Sequence, residues 1–235
     1  MPDPSAIDDQ KRHAADAAIA FVESHTTIGL GSGSTAAFFI KRLAEDLRTG
    51  KLVGVRGVPT SHASAELARR FEVPLVDPGM SDACDVVVDG ADEVDDNLNL
   101  VKGLGGALLR EKIVAQASKR RVIVVDDQKL VSRLGTRSPL PIEVVPWALP
   151  WTLAQIEGLG DRVVSREVDG KPFVTDNGNR ILDLHFSGGI ADAASVATKL
   201  AMIAGVVETG LFLDMADVVL VAGADGVRTL RRGDS

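Results

Sequence analysis

The sequence has little of what several large classes of protein depend on. Its 235 residues include one cysteine, no tyrosine and two tryptophans. A single cysteine excludes an internal disulfide framework and a zinc site built on several cysteines. The lack of tyrosine and the scarcity of tryptophan disfavour the aromatic platforms on which single-stranded nucleic acids stack. We therefore expect a protein of a reducing compartment, the cytoplasm, that binds no nucleic acid.

Long apolar runs and basic blocks are also missing. No apolar run reaches the roughly 18 residues that a membrane-spanning helix needs, and the polar N-terminus does not read as a secretory signal. The net charge is −7, with both signs mixed along the chain, so a phosphorylated ligand would need local positive charge. The apolar share of 45% is that of an ordinary globular protein. We expect no membrane partner.

The order of predicted elements indicates two domains. Up to about Pro139, short apolar runs alternate with amphipathic helical segments, the pattern of a parallel sheet with helices on both faces. The order then becomes β-α-β-β-α-β, which is typical of a ferredoxin-like unit. A last apolar strand at Val218–Val221 fits the first sheet better. The sequence thus predicts an α/β fold, with a Rossmann-like catalytic domain of residues 1–138 plus 214–235 and an inserted ferredoxin-like small domain of residues 139–213.

A loop rich in glycine and hydroxyl groups follows the first predicted strand, reading GLGSGST from Gly29 to Thr35. Glycines let the backbone approach a ligand, and the helix N-terminus that follows favours an anion. The loop has no lysine of a P-loop, and the second strand ends without the carboxylate of a dinucleotide site. Two interpretations stay open: a site for a single phosphate on a small substrate, and a plain strand-to-helix turn.

An acidic loop follows the buried run Val86–Val88, where open α/β sheets bind their ligands. Its carboxylates could accept hydrogen bonds from sugar hydroxyls, and Lys102 beyond it could stabilise an oxyanion. Surface charge and a metal site are the alternatives, because the stretch is rich in hard oxygen ligands. The spacing is not that of an EF-hand, so we predict no metal. The candidate metal ligands are Asp89, Asp92, Glu93, Asp95 and Asp96.

Glu111 is the candidate catalytic base. A helix is predicted to begin at Gly105, and on it Glu111 shares an arc with Leu108 and Val114. A carboxylate on a mostly apolar arc is desolvated, which raises its pKa toward the range of a general base. The alternative is an ion pair with a neighbouring basic residue on a half-exposed helix.

Four sequence segments contain the motifs described above. They read GLGSGSTAAFF at 29–39, VDGADEVD at 88–95, KGLGGALLREKIV at 102–114 and VDDQKL at 125–130. Together with the later PLPIEVVPWA, VTDNGNRILD and ADVVLVAGADGVRTL, they resemble the ribose 5-phosphate isomerase A family over nearly the whole chain. The resemblance implies interconversion of D-ribose 5-phosphate and D-ribulose 5-phosphate in the pentose phosphate pathway. It also implies no cofactor or metal, and a homodimer or homotetramer.

The resemblance assigns roles to single residues. Catalytic roles fall on Glu111, Asp89, Lys102 and Asp92. Substrate-binding roles fall on Ser32, Gly33, Ser34, Thr35, Asp89, Gly90, Ala91, Asp92, Lys102, Gly103, Leu104, Gly105 and Lys129. Lys11 is a candidate for a further phosphate contact. Leu104 departs from the glycine that many members carry, and residues 59–64 replace a serine-rich stretch and receive no role.

Two other functions remain open on the sequence alone. A sugar-phosphate sensor would bind the same ligand without turning it over, but the chain shows no DNA-binding helix-turn-helix and keeps both Glu111 and Lys102. A CoA transferase-like enzyme with a glutamate nucleophile would require a longer chain or a partner subunit.

Overall fold

The computed structural model describes residues 4–80 and 83–232. Its contacts divide the chain into two compact units. Unit 1 consists of Met1–Ala91, Arg110–Lys129 and Met215–Ser235, and unit 2 of Asp92–Leu109 and Leu130–Asp214. Compared with the predicted small domain, unit 2 also takes in residues 92–109, 130–138 and 214.

The described residues form six α-helices and fifteen β-strands. The helices are α1 Pro4–Ala18, α2 Gly33–Arg48, α3 His62–Arg70, α4 Leu108–Gln116, α5 Leu149–Ile156 and α6 Ala193–Ala201. The strands are β1 Thr27–Leu30, β2 Arg56–Pro59, β3 Val86–Asp89, β4 Glu93–Val94, β5 Leu100–Val101, β6 Arg121–Asp126, β7 Leu140–Val144, β8 Arg162–Ser165, β9 Glu167–Val168, β10 Lys171–Pro172, β11 Arg180–His185, β12 Val206–Thr209, β13 Leu211–Phe212, β14 Val218–Gly223 and β15 Gly226–Arg231. Among the helices that the structure describes, none has the length and apolar character to cross a bilayer.

Unit 1 is built on a six-stranded sheet in the order β15-β14-β6-β3-β1-β2. Every pair is parallel except β14 with β15. All residues of β1 and β3 are buried, and the run Val86–Val88 is apolar throughout, as in a sheet covered on both faces. The apolar stripe of α2 packs into the same core through Phe39, Ile40, Leu43 and Ala44. The predicted Rossmann-like parallel sheet is confirmed.

Unit 2 carries a four-stranded antiparallel sheet in the order β12-β7-β11-β8, with α5 and α6 in the connections. When its four strands are numbered in chain order, this sheet has the order 4-1-3-2 of a ferredoxin-like fold. Its core lies between the sheet and the two helices, where Ile142, Ile156 and Leu200 are fully buried. The predicted ferredoxin-like unit is therefore confirmed as well.

Residues 92–109 and 130–138 belong to unit 2 for two physical reasons. A three-stranded sheet in the order β13-β5-β4 pairs Leu100–Val101 with Leu211–Phe212. The fully buried carboxylate of Glu93, on β4, accepts backbone N–H groups from Gly135, Arg137 and Ser138. Both sets of contacts join segments that are far apart in sequence, so neither leaves a local pattern.

Candidate active site

The loops of unit 1 that carry predicted ligand-binding residues meet at one edge of its sheet. Strands β1, β3 and β6 are parallel neighbours, so their carboxyl ends lie side by side. Residues 31–35 follow β1, residues 90–91 follow β3, and a short 3-10 helix, Asp127–Lys129, follows β6. Lys129 is half-buried there. This is the edge at which ligands bind in open α/β sheets.

Asp89 fixes the shape of the turn after β1. The residue is 3% exposed, and its Oδ1 accepts the N–H of Ser32 at 3.0 Å and that of Gly90 at 2.8 Å. The N–H of Gly31 donates to the carbonyl of Val88 at 3.0 Å. The bonds from Gly31 and Ser32 tie the end of β1 to the end of β3, and the bond from Gly90 shapes the loop after β3.

Gly31 provides a sharp test of this arrangement. A Cβ at this position would lie 2.2 Å from Asp89 Oδ1 and 2.6 Å from Asp89 Cα, whereas a Cβ on Gly33 would meet nothing within 4 Å. We expect Gly31→Ala to lower the free energy of unfolding by about 2 to 3 kcal/mol, the cost of overpacking. Gly33→Ala should cost only about 1 kcal/mol, from its φ of +87°. Urea unfolding of both variants measures the difference, and equal losses would contradict the close approach.

The helix that carries Glu111 packs directly on β1. A Cβ on Gly29 would lie 2.5 Å from Val114 Cγ1, so the absent side chain is what lets α4 approach the strand. Because α4 leads from the carboxyl end of β3 back to the start of β6, its first turn lies toward the carboxyl edge of the sheet. Glu111 is in that first turn, about one turn before Val114, and is 5% exposed. The expected burial of this carboxylate is therefore present.

The predicted start of this helix at Gly105 is wrong, because α4 begins at Leu108. Gly103 and Gly106 have φ of +100° and +79°, in the left-handed region that a right-handed helix does not use. The N–H of Gly106 donates to the carbonyl of Gly103 at 2.9 Å, which closes a tight turn instead. The glycine cluster is thus a loop that precedes the helix.

That glycine loop, residues 102–106, lies in unit 2 together with Asp92. Lys102 is 4% exposed; its N–H donates to the carbonyl of Gly210 at 2.9 Å, and its Nζ lies 5.4 Å from the centroid of the Phe212 ring. The Oδ2 atom of Asp92 accepts the N–H of Leu104 at 3.0 Å. The glycine loop therefore begins with a buried lysine and bonds the carboxylate of Asp92 through one backbone N–H.

Two of the acidic residues named for the metal alternative, Glu93 and Asp95, bond backbone N–H groups. The Glu93 carboxylate accepts the backbone N–H groups of Gly135, Arg137 and Ser138. The Oδ1 atom of Asp95 accepts the N–H groups of Asn97 and Asn99, which shapes a local turn. Over residues 4–80 and 83–232, no three side chains of His, Cys, Asp or Glu are placed to hold a metal ion.

Comparison with known proteins identifies the family. The family model for ribose 5-phosphate isomerase A (phosphoriboisomerase A) matches residues 56–226. This chain belongs to the ribose 5-phosphate isomerase A family. The ribose-5-phosphate isomerase A of Desulfatibacillum aliphaticivorans is 49% identical over 222 residues, which cover 94% of this chain and 96% of that protein. Membership of this family confirms the predicted enzyme class, an aldose–ketose isomerase.

Solved structures of ribose 5-phosphate isomerases have the same fold. A D-ribose-5-phosphate isomerase in complex with phospho-erythronic acid superposes with a TM-score of 0.93 at 41% identity, covering 96% of this chain and 99% of that one. The ribose 5-phosphate isomerase of Plasmodium falciparum superposes with a TM-score of 0.92 at 38% identity, with the same coverage.

In this member of the ribose 5-phosphate isomerase A family, sequence reasoning missed the residues that hold Ser32. The Oγ of Ser32 donates to Ser61 Oγ at 2.7 Å and lies 2.8 Å from Thr60 Oγ1. The N–H of Ser32 is engaged by Asp89, so Ser32 shapes the turn from both of its donors. Ser34 is exposed in the first turn of α2, where backbone N–H groups have no intrahelical acceptor. The sequence feature that could have indicated this contact is the position of Thr60 and Ser61 directly after β2, which pairs with β1.

Proposed function

We propose that this protein interconverts D-ribose 5-phosphate and D-ribulose 5-phosphate through a cis-enediol or enediolate, with Glu111 as the single base. The observation that carries the proposal is the buried carboxylate of Glu111 in the first turn of α4. It lies at the sheet edge that also carries the loop of residues 31–35. Family membership supports the reaction, because the matching relatives are named ribose-5-phosphate isomerases.

In the proposed reaction, the Glu111 carboxylate removes the proton from C2 of the open-chain aldose. The electron pair of the C–H bond forms the C1–C2 double bond, and the carbonyl electrons move onto the oxygen at C1. A hydroxyl proton then passes from the oxygen at C2 to the oxygen at C1. Glu111 returns its proton to C1, which yields the ketose. One base serves both carbons, so no redox partner is needed.

The remaining catalytic residues are proposed to stabilise the negative charge of the enediolate and to assist the transfer of hydroxyl protons. Lys102 and the backbone N–H groups of Gly103 and Gly105 stabilise the enediolate oxygen. Asp89 assists ring opening and the proton transfer between the two oxygens, and Asp92 orients the sugar hydroxyls. The burial of Lys102 supports its assignment, because an ammonium group shielded from water acts more strongly on a nearby anion.

The phosphate is proposed to bind at the residues that the resemblance assigns, namely Ser32, Gly33, Ser34, Thr35 and Lys129. Since both of Ser32's donors have protein partners, the donors that face the ligand are the N–H groups of residues 33–35 and the hydroxyls of Ser34 and Thr35. The related enzyme with bound phospho-erythronic acid supports a phosphorylated sugar acid as a ligand of this fold. Binding the remote phosphate places the reacting carbons correctly.

Removing one of these donors should weaken substrate binding more than chemistry. We expect Ser34→Ala to raise KM about tenfold or more, the value of a hydrogen bond to a charged group, with kcat nearly unchanged. Ser195→Ala is a matched control, because Ser195 lies in the first turn of α6 in unit 2. Steady-state kinetics on ribose 5-phosphate measure both constants. An unchanged KM in Ser34→Ala would remove this serine from the phosphate site.

An assay with ribose 5-phosphate, run with and without a chelator, tests the function itself. Turnover that is equal in both arms is the expected result. Binding without turnover would identify a sensor, and turnover lost to the chelator would restore the metal alternative. We propose further that the enzyme works in the cytoplasm as a homodimer or homotetramer. Analytical ultracentrifugation of the purified protein would measure its oligomeric state.

A further inference from the structure

A second element of unit 2 holds the glycine loop from the side opposite to Asp92. Arg166 lies between β8 and β9, and its side chain is 11% exposed. Its Nη1 donates to the carbonyl of Gly103 at 3.0 Å and to that of Leu104 at 2.8 Å. Its other donors, Nε and Nη2, bond both carboxylate oxygens of Asp183. One guanidinium therefore links a strand carboxylate to two consecutive loop carbonyls.

An aromatic ring adds to this contact. The Phe173 ring lies 5.8 Å from Arg166 Cζ. A Cβ on Gly106 would lie 2.4 Å from the same ring, so the ring packs directly on the loop backbone. Arg166 and Phe173 are joined as well by a backbone hydrogen bond of 2.9 Å. The guanidinium is thus fixed by a ring and a carboxylate before it reaches the loop.

Planar peptide geometry gives this contact a chemical consequence. In a trans peptide the C=O and N–H of one unit point in opposite directions, and none of the described peptide bonds is cis. Because Arg166 binds the carbonyl of Gly103, the N–H of Leu104 points away from it and reaches Asp92. By the same geometry, the bond to the carbonyl of Leu104 turns the N–H of Gly105 away from Arg166. Gly105 is exposed, and within the described structure its N–H has no protein acceptor.

We propose that Arg166, held by Asp183, is a positioning residue that aims the Gly105 N–H and the Asp92 carboxylate at the substrate. The inference rests on the proposed isomerase function, in which these groups act on the enediolate and the sugar hydroxyls. Arg166 touches no reacting atom; it acts by fixing two peptide planes. A guanidinium suits this role, because its planar fork bonds two carbonyls and a carboxylate at once.

Kinetics separate this role from a stabilising one. We expect Arg166→Gln to lower kcat by about 10²-fold, the effect of misplacing a transition-state donor, with KM within a few-fold of wild type. Arg166→Lys should lose nearly as much, because one ammonium group cannot replace the fork. The matched control is Arg121→Gln in unit 1, which breaks the bidentate pair of Arg121 with Asp217. It should lower the melting temperature and leave kcat unchanged. Wild-type kcat in either Arg166 variant, or an equal loss of kcat in Arg121→Gln, would overturn the proposal.

Amide hydrogen exchange tests, without relying on catalysis, whether Arg166 orders the glycine loop. The exchange of the Leu104 N–H, which Asp92 accepts, should accelerate at least tenfold in Arg166→Gln and stay unchanged in Arg121→Gln. If the Leu104 N–H exchanged at the wild-type rate in Arg166→Gln, the positioning role of Arg166 would be refuted even if activity fell. Absence of isomerase activity in the wild type would instead refute the proposed function, and the exchange result would still decide whether Arg166 orders the loop.

Discussion

Replacing Glu111 by glutamine is expected to lower kcat by about three powers of ten or more, because the variant has no group that accepts the substrate proton. Glutamine has nearly the same shape and can keep the packing of a side chain that is only 5% exposed. The fold and the affinity for the phosphate should therefore persist, with KM within a few-fold of wild type. Steady-state kinetics and a thermal melt on the same preparation measure both quantities.

Isotope exchange makes this test specific for proton transfer. If Glu111 carries the proton between C2 and C1, some of it is lost to solvent, so ribose 5-phosphate incubated in heavy water gains deuterium at C2. Glu111→Gln should abolish that incorporation together with turnover. Glu66→Gln, on the exposed face of α3, is the matched control and should behave as wild type in both assays. Near wild-type turnover by Glu111→Gln would falsify the assignment of the base.

The parts of the fold that could be predicted from sequence are those with a strong local pattern. The valine-rich runs of β3 and β6 are too short for helices and apolar on both faces, which only a covered parallel sheet accommodates. Strand β15 was missed for the opposite reason: Gly226–Arg231 is a largely exposed antiparallel edge with few apolar residues. The loops after β1, β3 and β6 could be located because they follow such strands directly.

Contacts between distant segments could not be read in this way. Strand β13 has two residues, and it is defined by pairing with β5, about a hundred residues earlier in the chain. The hydroxyl pair Thr60 and Ser61 is connected to Ser32 by side-chain hydrogen bonds, and polar residues after a strand have many other uses. Arg166 lies in a polar hairpin and gave no signal of its own. Its importance follows from which carbonyls it contacts, and that depends on tertiary structure.

Replacing Lys102 by methionine should separate the charge of this residue from its packing. Methionine has a similar length and can keep the apolar contact with the Phe212 ring, 5.4 Å from Nζ in the wild type. The backbone bond from residue 102 to the carbonyl of Gly210 does not involve the side chain. We therefore expect the loop to keep its position. The variant would lack the cation that is proposed to face the enediolate.

The expected loss in kcat for Lys102→Met is about 10²- to 10³-fold, the usual effect of removing one preorganised group that stabilises a developing oxyanion. KM should change far less, because the phosphate is proposed to bind at residues 33–35 and Lys129. Lys171→Met, on the exposed strand β10 of the same unit, removes an equal charge and should leave both constants unchanged. Negative charge on the oxygen develops in the transition state and is absent from the bound substrate. A variant that raised KM while keeping kcat would therefore show that Lys102 binds the ground state instead.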